Sequence, residues 1–396
     1  MGEKEKLIRT GIVGSGFSAS FHFEAVKKVY GIDIEIVGVY SKTPEKRRSF
    51  AEKRGIKSFD SLDELIDNCD VVHVCTPPAT HEPIAVAALE KNRYAIVEKP
   101  FTGFFGDGSD DFDGRHYPKE KALEGALGSV KRMRDAEEKS KASIMYAENW
   151  VYAPPIQKER EIIEKTGAQI LWMHGEEAHS GSHAYEYGFW KFAGGGAMIG
   201  KGCHPLTAAL YLKRVEGISR NGTPIRPRTV SARIAELTRL DSYIDAGFIR
   251  TEYHDIEDFS VMHVTFEDGT IATIFASEIV LGGIHNWIEI CANNHRTICN
   301  INPNNIMKTY NPKEENFSSI YVVEKIETKQ GWSNPAPDED WVTGYPAEMQ
   351  AFYEHIAFGR ELESTSELAG DVVATIYSGY LSAEQGGKEI TIRTVA

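Results

Sequence analysis

The chain has 396 residues, 41% hydrophobic and 26% charged, a globular composition long enough for two domains of ordinary size. Lys plus Arg number 44 against 58 Asp plus Glu. The formal net charge of -14 argues against a broad nucleic-acid surface or a polybasic membrane patch, though not against a local pocket for an anion. No apolar run approaches the roughly eighteen residues that span a bilayer. The start, Met1 to Lys6, has neither the apolar stretch of a signal peptide nor the Ser or Thr of a myristoylation signal. Cys69, Cys75, Cys203, Cys291 and Cys299 are odd in number and form no C-x-x-C pair. Small buried thiols in a reducing cytoplasm are therefore expected, with no membrane and no nucleic-acid partner.

Leu7–Val13 reads as a strand broken by Gly14-Ser15-Gly16, and Phe21, Ala25, Val26 and Val29 give the next segment helical spacing. Ile34–Tyr40 is a second β-branched run, Pro44–Arg54 a charged helix with Pro in its first turn, and Asp63–Asn68 a short helix. Val71–Cys75 and Arg93–Val97 read as strands flanking a helix over Glu82–Glu90. Strands alternating with helices predict parallel βαβ units and a doubly wound sheet. A segment rich in Gly, Asp and aromatic residues, 103–120, interrupts this rhythm. Its four aspartates lack the D-x-[DN]-x-[DN]-G spacing of a calcium loop, so an ordered surface loop or an active-site lid is expected instead. Lys119–Lys141 is predicted helical, and Ser143–Ala147 closes the sheet.

Beyond residue 150 the pattern changes. Ala168–Ala178, Thr229–Leu237, Phe259–Phe266, Thr270–Val280, Asn286–Ala292, Arg296–Ile301 and Ser319–Glu324 read as strands of a mainly antiparallel sheet. Turn signals stand at Glu267-Asp268-Gly269 and Ala292-Asn293-Asn294, and helices are predicted at 155–165, 204–213, 345–358 and 368–384. The expected architecture is α/β: a Rossmann dinucleotide-binding domain over 1–148, then an α+β domain with an open sheet over 149–396 for substrate binding and oligomerisation.

Gly14-Ser15-Gly16-Phe17-Ser18-Ala19 is a G-x-G-x-x-A fingerprint between a predicted strand and helix. Gly14 permits the tight turn, Gly16 lets backbone approach a pyrophosphate, and the helix N-terminus opposes the phosphate charge. Phe17 and Ser18 then flank the cofactor. An NAD site usually carries Asp or Glu at the tip of the second strand to grip the ribose diol. Here Ser41 and Lys42 stand there with further cations behind, which tilts the choice between NAD and NADP toward NADP. A solvated helix start explains the same lysines and arginines without a phosphate.

Two further motifs follow: Thr76-Pro77-Pro78-Ala79-Thr80-His81 after the strand at 71–75, and Glu98-Lys99-Pro100 after the strand at 93–97. With the glycine turn ahead of them, this order resembles the glucose–fructose oxidoreductase/inositol dehydrogenase/MocA (Gfo/Idh/MocA) superfamily. Gly194 to His204 resembles its glycine-rich segment ending in a histidine, and the last helix and strand resemble its C-terminus. The resemblance covers nearly the whole chain, with 103–120 as the main addition. It implies Thr76, Pro77, His81, Glu98 and Lys99 at an NAD(P) cofactor, and Lys99 and His204 as the proton-handling pair. A cis Lys99-Pro100 bond and a homodimer or homotetramer are implied as well. Desolvation is expected to lower the pKa of Lys99 so that it trades a proton with a carbinol oxygen.

Many members of that superfamily carry Asp four residues before the histidine, where it orients the imidazole; here the position is Gly200, followed by Lys201. Something else must then hold His204, or its role differs. Lys201 reads equally as an anion or hydroxyl contact and as a solvated cation. The polar, aromatic loop from Glu176 to Trp190 offers His179, His183 and Trp190 to a sugar, and Trp150 is a further wall candidate. Interdomain packing accounts for Trp150 as well. A metal site of Glu176, His179 and His183 is disfavoured because Gly181 breaks the helix that i,i+4 histidines need, and no metal is expected. The resulting expectation is hydride transfer to or from a secondary hydroxyl or ketone of a sugar, glycoside or cyclic polyol. Redox-neutral glycoside cleavage or epimerisation through a transient 3-keto sugar is the alternative. A non-catalytic nucleotide-binding regulator is a third reading, disfavoured by intact Lys99 and His204.

Overall fold

The computed structural model describes residues 7–182, 184–302 and 306–395. Its first six strands are β1 (Ile8–Val13), β2 (Ile34–Tyr40), β3 (Lys57–Ser58), β4 (Val71–Val74), β5 (Tyr94–Glu98) and β6 (Ile144–Ala147). They pair in parallel in the order β3-β2-β1-β4-β5-β6, a doubly wound Rossmann sheet. β-branched residues fill it because helices cover both faces: β4 and β6 are buried at every position. Local signals set the helix ends. Pro44 opens Pro44–Arg54 and left-handed Gly55 closes it, and the Ser61 side chain accepts from Glu64 N to cap Leu62–Asp67. The strand order reverses between β1 and β4, which opens a crevice at their C-terminal ends, where Gly14 and Cys75 lie.

The second sheet contains β7 (Ile170–Ala178), β8 (Pro227–Ala235), β9 (Phe259–Phe266), β10 (Ile271–Ser277), β11 (His285–Ala292) and β12 (Arg296–Asn302). A ribbon of β13 (Thr309–Asn311) and β14 (Gly331–Ser333) follows, and β15 (Ile390–Thr391) adds an edge strand beside β8. The order is β12-β11-β7-β10-β9-β8-β15, antiparallel except for the β7–β10 pair. Both turn signals are hairpins: Gly269 takes φ +84 between β9 and β10, and Ala292 N donates to His295 O between β11 and β12. Helix Cys203–Asn221 packs on β7, and helix Ser366–Glu384 lies between β8 and helix Lys119–Lys139, joining the two halves. The opposite face of the sheet leaves Trp172, Ile271 and Ile298 exposed.

One predicted strand is absent. Ser319–Glu324 carries the contiguous apolar run Ile320 to Val323, yet it is irregular and joins no sheet. Only Val322 of its apolar residues is buried, its carbonyl accepts from Ala336 N, and the Tyr321 hydroxyl donates to Glu339, so side-chain and loop contacts hold the segment. β3, β13 and β14 were not foreseen, being two or three residues long and without their own periodicity.

Segment 103–120 is a strap. Phe104, Phe112 and Tyr117 pack their rings together, with Phe104 and Tyr117 centred 4.9 Å apart. Gly114 N and Trp190 N both donate to the Asp255 carboxylate at 2.8 Å, and Trp190 Nε1 donates to Phe104 O at 2.8 Å. Asp107 and Asp113 cap their own turns, and the aspartates do not converge on a common point.

Candidate active site

The glycine turn adopts the shape its sequence requires. Gly14 takes φ +118, and a Cβ there would lie 2.1 Å from Cys75 O, so only glycine lets β1 cross β4 this closely. A Cβ at Gly16 would meet nothing within 4 Å, so the backbone faces open space at the start of helix Phe17–Val26. Phe17 is 64% exposed beside it, and Ser18 is half-buried. Across the crevice the Ser41 hydroxyl bonds that of Ser15 at 3.0 Å, while Lys42 is exposed. Thr76 and Pro77 border the same opening. These groups could hold a dinucleotide, with backbone N–H groups and a helix N-terminus toward its phosphates.

His81 does not face that opening. It is fully buried, with Nδ1 3.0 Å from Pro100 O and Nε2 2.9 Å from Thr76 O. Both ring nitrogens thus face protein carbonyls, to one of which the neutral ring donates, and burial lowers the pKa of the ring. The expected cofactor contact is instead a clasp between the turn after β4 and the turn after β5.

Glu98 and Lys99 end β5, and the Lys99-Pro100 bond is cis. Glu98 receives Lys99 N at 3.0 Å on one oxygen and stands 2.9 Å from His22 Nε2 through the other. Burial pushes Glu98 upward, but His22 and Lys99 outweigh it and its pKa falls. The Lys99 ammonium donates to Gly200 O at 3.2 Å, tying the Rossmann half to the glycine-rich segment. Its pKa moves against the expectation. Burial pulls it down, but the acidic groups around it, Cys203, Glu177, Tyr187 and Glu98, outweigh burial and the net direction is upward. Cys203 and Tyr187 are themselves pushed up by burial and stay neutral, and burial pushes Glu177 up as well, whereas Glu98, whose own pKa falls, is the anion that keeps Lys99 charged.

His204 lies buried near the start of helix Cys203–Asn221. The carboxylate that holds it comes from the other half of the chain: Glu148 Oε1 is 2.5 Å from Nδ1. Trp150 stacks on the imidazole with centroids 5.9 Å apart and planes 18° apart, so it backs the histidine and is itself buried. On the other side Glu177 Oε2 stands 3.6 Å from Nε2. Burial raises the Glu177 pKa over the opposing pull of His204, Lys99 and Lys201. Glu148, Cys203 and His204 bring three ligand-type atoms within 4.8 Å, the one such group among the described residues. Two ligands ~2.0 Å from a tetrahedral ion stand about 3.3 Å apart. The 2.5 Å contact between His204 and Glu148 is therefore a hydrogen bond.

The remaining expected contacts divide. Lys201 is no solvated cation: it is 3% exposed, 2.9 Å from Glu278 Oε1 and 3.4 Å from the Ser182 hydroxyl. Trp190 is fully buried against Tyr380 and bonds Phe104 O, so it anchors the strap and offers no face to a substrate. His179 is buried, with Nδ1 accepting from Gly181 N at 3.1 Å in a loop turn. Glu176 accepts from Trp287 Nε1, whereas its neighbour Glu177 faces His204, as alternation along β7 requires. His183 lies outside the described residues. Glu148 and Glu177 were not singled out from sequence. Each ends or lines a strand that was identified, and inward alternation along β7 is the signal that points to Glu177.

Residues 8–109 match the family model described as "Oxidoreductase family, NAD-binding Rossmann fold". The chain is 30% identical over 129 residues to UDP-N-acetylglucosamine 3-dehydrogenase of Acidithiobacillus ferrooxidans, covering 33% of this chain and 39% of that one. It is 36% identical over 92 residues to glucose-6-phosphate 3-dehydrogenase of Bacillus subtilis, covering 23% and 26%. The matched segments thus span well under half of these relatives. The fold as a whole is that of GenD2 from gentamicin A biosynthesis, solved in complex with NAD. There the TM-score is 0.78 at 22% identity, over 100% of this chain and 99% of that one.

Proposed function

Because the chain belongs to the Gfo/Idh/MocA oxidoreductase family matched over its Rossmann half, we propose that it is an NAD(P)-dependent dehydrogenase. In this reading it acts on a secondary hydroxyl or ketone of a sugar, glycoside or cyclic polyol. One observation carries the reading: Lys99, on its cis turn at the crevice, lies in the same charged pocket as a histidine gripped by a buried carboxylate. Both relatives are named as 3-dehydrogenases of sugars, which supports a secondary carbon as the reacting centre.

The cofactor fits the residues present. Gly14, Gly16, Phe17 and Ser18 leave the open turn that a pyrophosphate needs, and Ser41, Lys42, Thr76 and Pro77 border the rest of the opening. A bound nicotinamide accepts or supplies the hydride, and the protein's task is to align the carbon and move the proton. Lys99 Nζ, kept charged beside Glu98, gives a proton to the oxygen of a ketone undergoing reduction. Glu148 fixes the His204 ring through Nδ1, so Nε2 is the atom that takes or returns a proton. It thereby supplies from the end of β6 the carboxylate that Gly200 lacks. Without a carboxylate at the tip of β2, Ser41 and Lys42 favour NADP. Arg47 is committed elsewhere, to Ser41 O, Ser58 and Asp60, and braces this corner. The outer face of the second sheet, with Trp172, Ile271 and Ile298 exposed, is where two copies pair into a dimer or tetramer. Five unpaired cysteines fit a reducing cytoplasm.

A second reading, redox-neutral cleavage or epimerisation beside a transient ketone, is favoured by Glu177. Its Oε2 is buried without a hydrogen-bond partner, near both Lys99 and His204, and its raised pKa suits an acid–base group. Such chemistry needs a third proton carrier, and Glu177 is in position to be one. Mass spectrometry of the nucleotide released from freshly denatured protein tests the proposal. NADP(H) or NAD(H) near one per chain supports a retained cofactor and the second reading. An empty protein that binds added NADPH supports ordinary dehydrogenation. A protein that holds and binds neither nucleotide refutes both.

A further inference from the structure

A cavity of about 220 Å3 is lined in part by Ser180, Ser182, Arg250, Lys325 and Glu327. Lys201, three residues before His204, reaches to within 3.4 Å of the Ser182 hydroxyl at its border. Its own charge is matched by Glu278 at 2.9 Å, which also receives Ser182 N at 2.9 Å.

The other two cations are less well matched. Arg250 donates its terminal nitrogens to the Ser182, Ala184, Tyr185 and Glu252 carbonyls, which holds the loop beside the cavity. Its Nε is shielded from solvent without a hydrogen-bond partner, and the Glu252 carboxylate is 3.7 Å away. The Arg250 side chain is only 10% exposed. Lys325 takes φ +59, a left-handed conformation that a residue with a Cβ adopts at a cost, and its ammonium donates to Gly181 O at 2.7 Å. Burial, with Lys201 and Arg250 nearby, outweighs Glu324 and Glu278 and brings Lys325 down to about 8. Strained backbone thus holds an ammonium against a neutral carbonyl, with Lys201 and Arg250 as well as Glu324 and Glu278 nearby.

We propose that this cavity takes an oxyanion substituent of the substrate, a phosphate or a carboxylate, with Lys325 as its counter-charge and Arg250 Nε as a further donor. The inference rests on the dehydrogenase reading for what the bound molecule is, and it narrows that substrate to an anionic sugar. An oxyanion accepts charge-assisted hydrogen bonds from the donors left over here and relieves the repulsion among the cations. The Glu327 carboxylate borders the same cavity and accepts from Gly282 N through Oε2, so Lys325 and Arg250 have its charge to outweigh.

Calorimetric titration of the full-length protein with inorganic phosphate, and separately with acetate, tests this without relying on turnover. Binding of either ion at one site per chain is expected, and which ion binds distinguishes phosphate from carboxylate. Lys325→Gln is expected to weaken that binding at least tenfold, and Lys325→Arg, which keeps the charge, to restore it. NADPH binding is followed in each variant as the check on folding. If the Gln variant loses NADPH binding, Lys325→Met at the same position replaces it in the comparison with Arg. No binding of either ion to a wild type that binds NADPH, or equal binding by wild type and a folded uncharged variant, overturns the proposal. Either result leaves the dehydrogenase reading standing. Conversely, an anion-binding protein that transfers no hydride refutes the dehydrogenase reading alone.

Discussion

Replacing Glu148 by Gln is the sharpest probe of how this site makes up for Gly200. Glu148 Oε1 meets His204 Nδ1 at 2.5 Å and also accepts from Trp150 N at 3.3 Å, capping the short helix Asn149–Tyr152. Gln keeps the length, the carbonyl oxygen and the cap, and removes only the charge opposite the imidazole. A hydrogen bond to a charged group contributes about 1.5–3 kcal/mol. At 1.36 kcal/mol per decade, kcat should fall roughly 10- to 150-fold. Glu148 Oε2 is buried without a partner, so the Gln amide nitrogen enters that place unsatisfied, costing about 1–3 kcal/mol of stability. Initial rates read from reduced nicotinamide absorbance, beside NADPH titrations, separate the two effects. The expected result is a lowered kcat with NADPH affinity and sugar KM within about twofold of wild type. A kcat within twofold of wild type, or a loss confined to nucleotide affinity, would show that His204 is not held for proton transfer by Glu148.

Gly14→Ala forces a Cβ to 2.1 Å from Cys75 O at φ +118, so the variant should lose NADPH binding and melt several degrees lower; wild-type affinity in titration would contradict the turn's role. Trp190→Phe deletes the donor to buried Phe104 O and should cost about 2–4 kcal/mol in denaturant titrations, while leaving the sugar KM unchanged. A raised KM with unchanged stability would return Trp190 to the pocket wall. Glu257, raised to about 7 by burial despite donors from Met198, Tyr380 and Gly196, binds a proton more tightly when folded than when unfolded. Its contribution is fully present below about pH 4.5 and is lost as pH rises through 7, to the extent of about 3 kcal/mol. Melting curves from pH 5 to 8 should therefore fall with pH, and fall less steeply in Glu257→Gln; parallel slopes would refute the assignment.

Much of the fold was legible because its strands are long, β-branched and punctuated by glycine turns, as at Ile8–Val13 followed by Gly14. Phe259–Phe266 was read to the residue, since period-two alternation survives wherever one face of a strand is buried. A short apolar run misled at Ser319–Glu324, where Ile320 to Val323 are β-formers but no neighbouring strand pairs with them. Pairing partners are not encoded in a local pattern. At the site, Lys99 and His204 could be singled out as candidates because each sits in a recognisable motif. Glu148 could not: its value comes from a contact with a residue 56 positions away. His81 and Trp190 were misplaced for a related reason. Imidazole and indole suit a ligand pocket and a buried clasp equally well, and only the positions of Pro100 O and Phe104 O decide between them.

The most direct test of the proposed chemistry is hydride transfer itself, measured with Lys99 as the variable. Wild type and Lys99→Met are each incubated with NADP+ or NAD+ and a panel of cyclic polyols, neutral sugars and sugar phosphates, and reduced nicotinamide is followed. The expected result is reduction with at least one sugar by wild type, and a loss of about 100-fold or more in Lys99→Met with nucleotide binding retained. Nucleotide binding without hydride transfer to any member of the panel, or equal rates in the two proteins, would contradict the assignment of Lys99 and, with it, the proposed function.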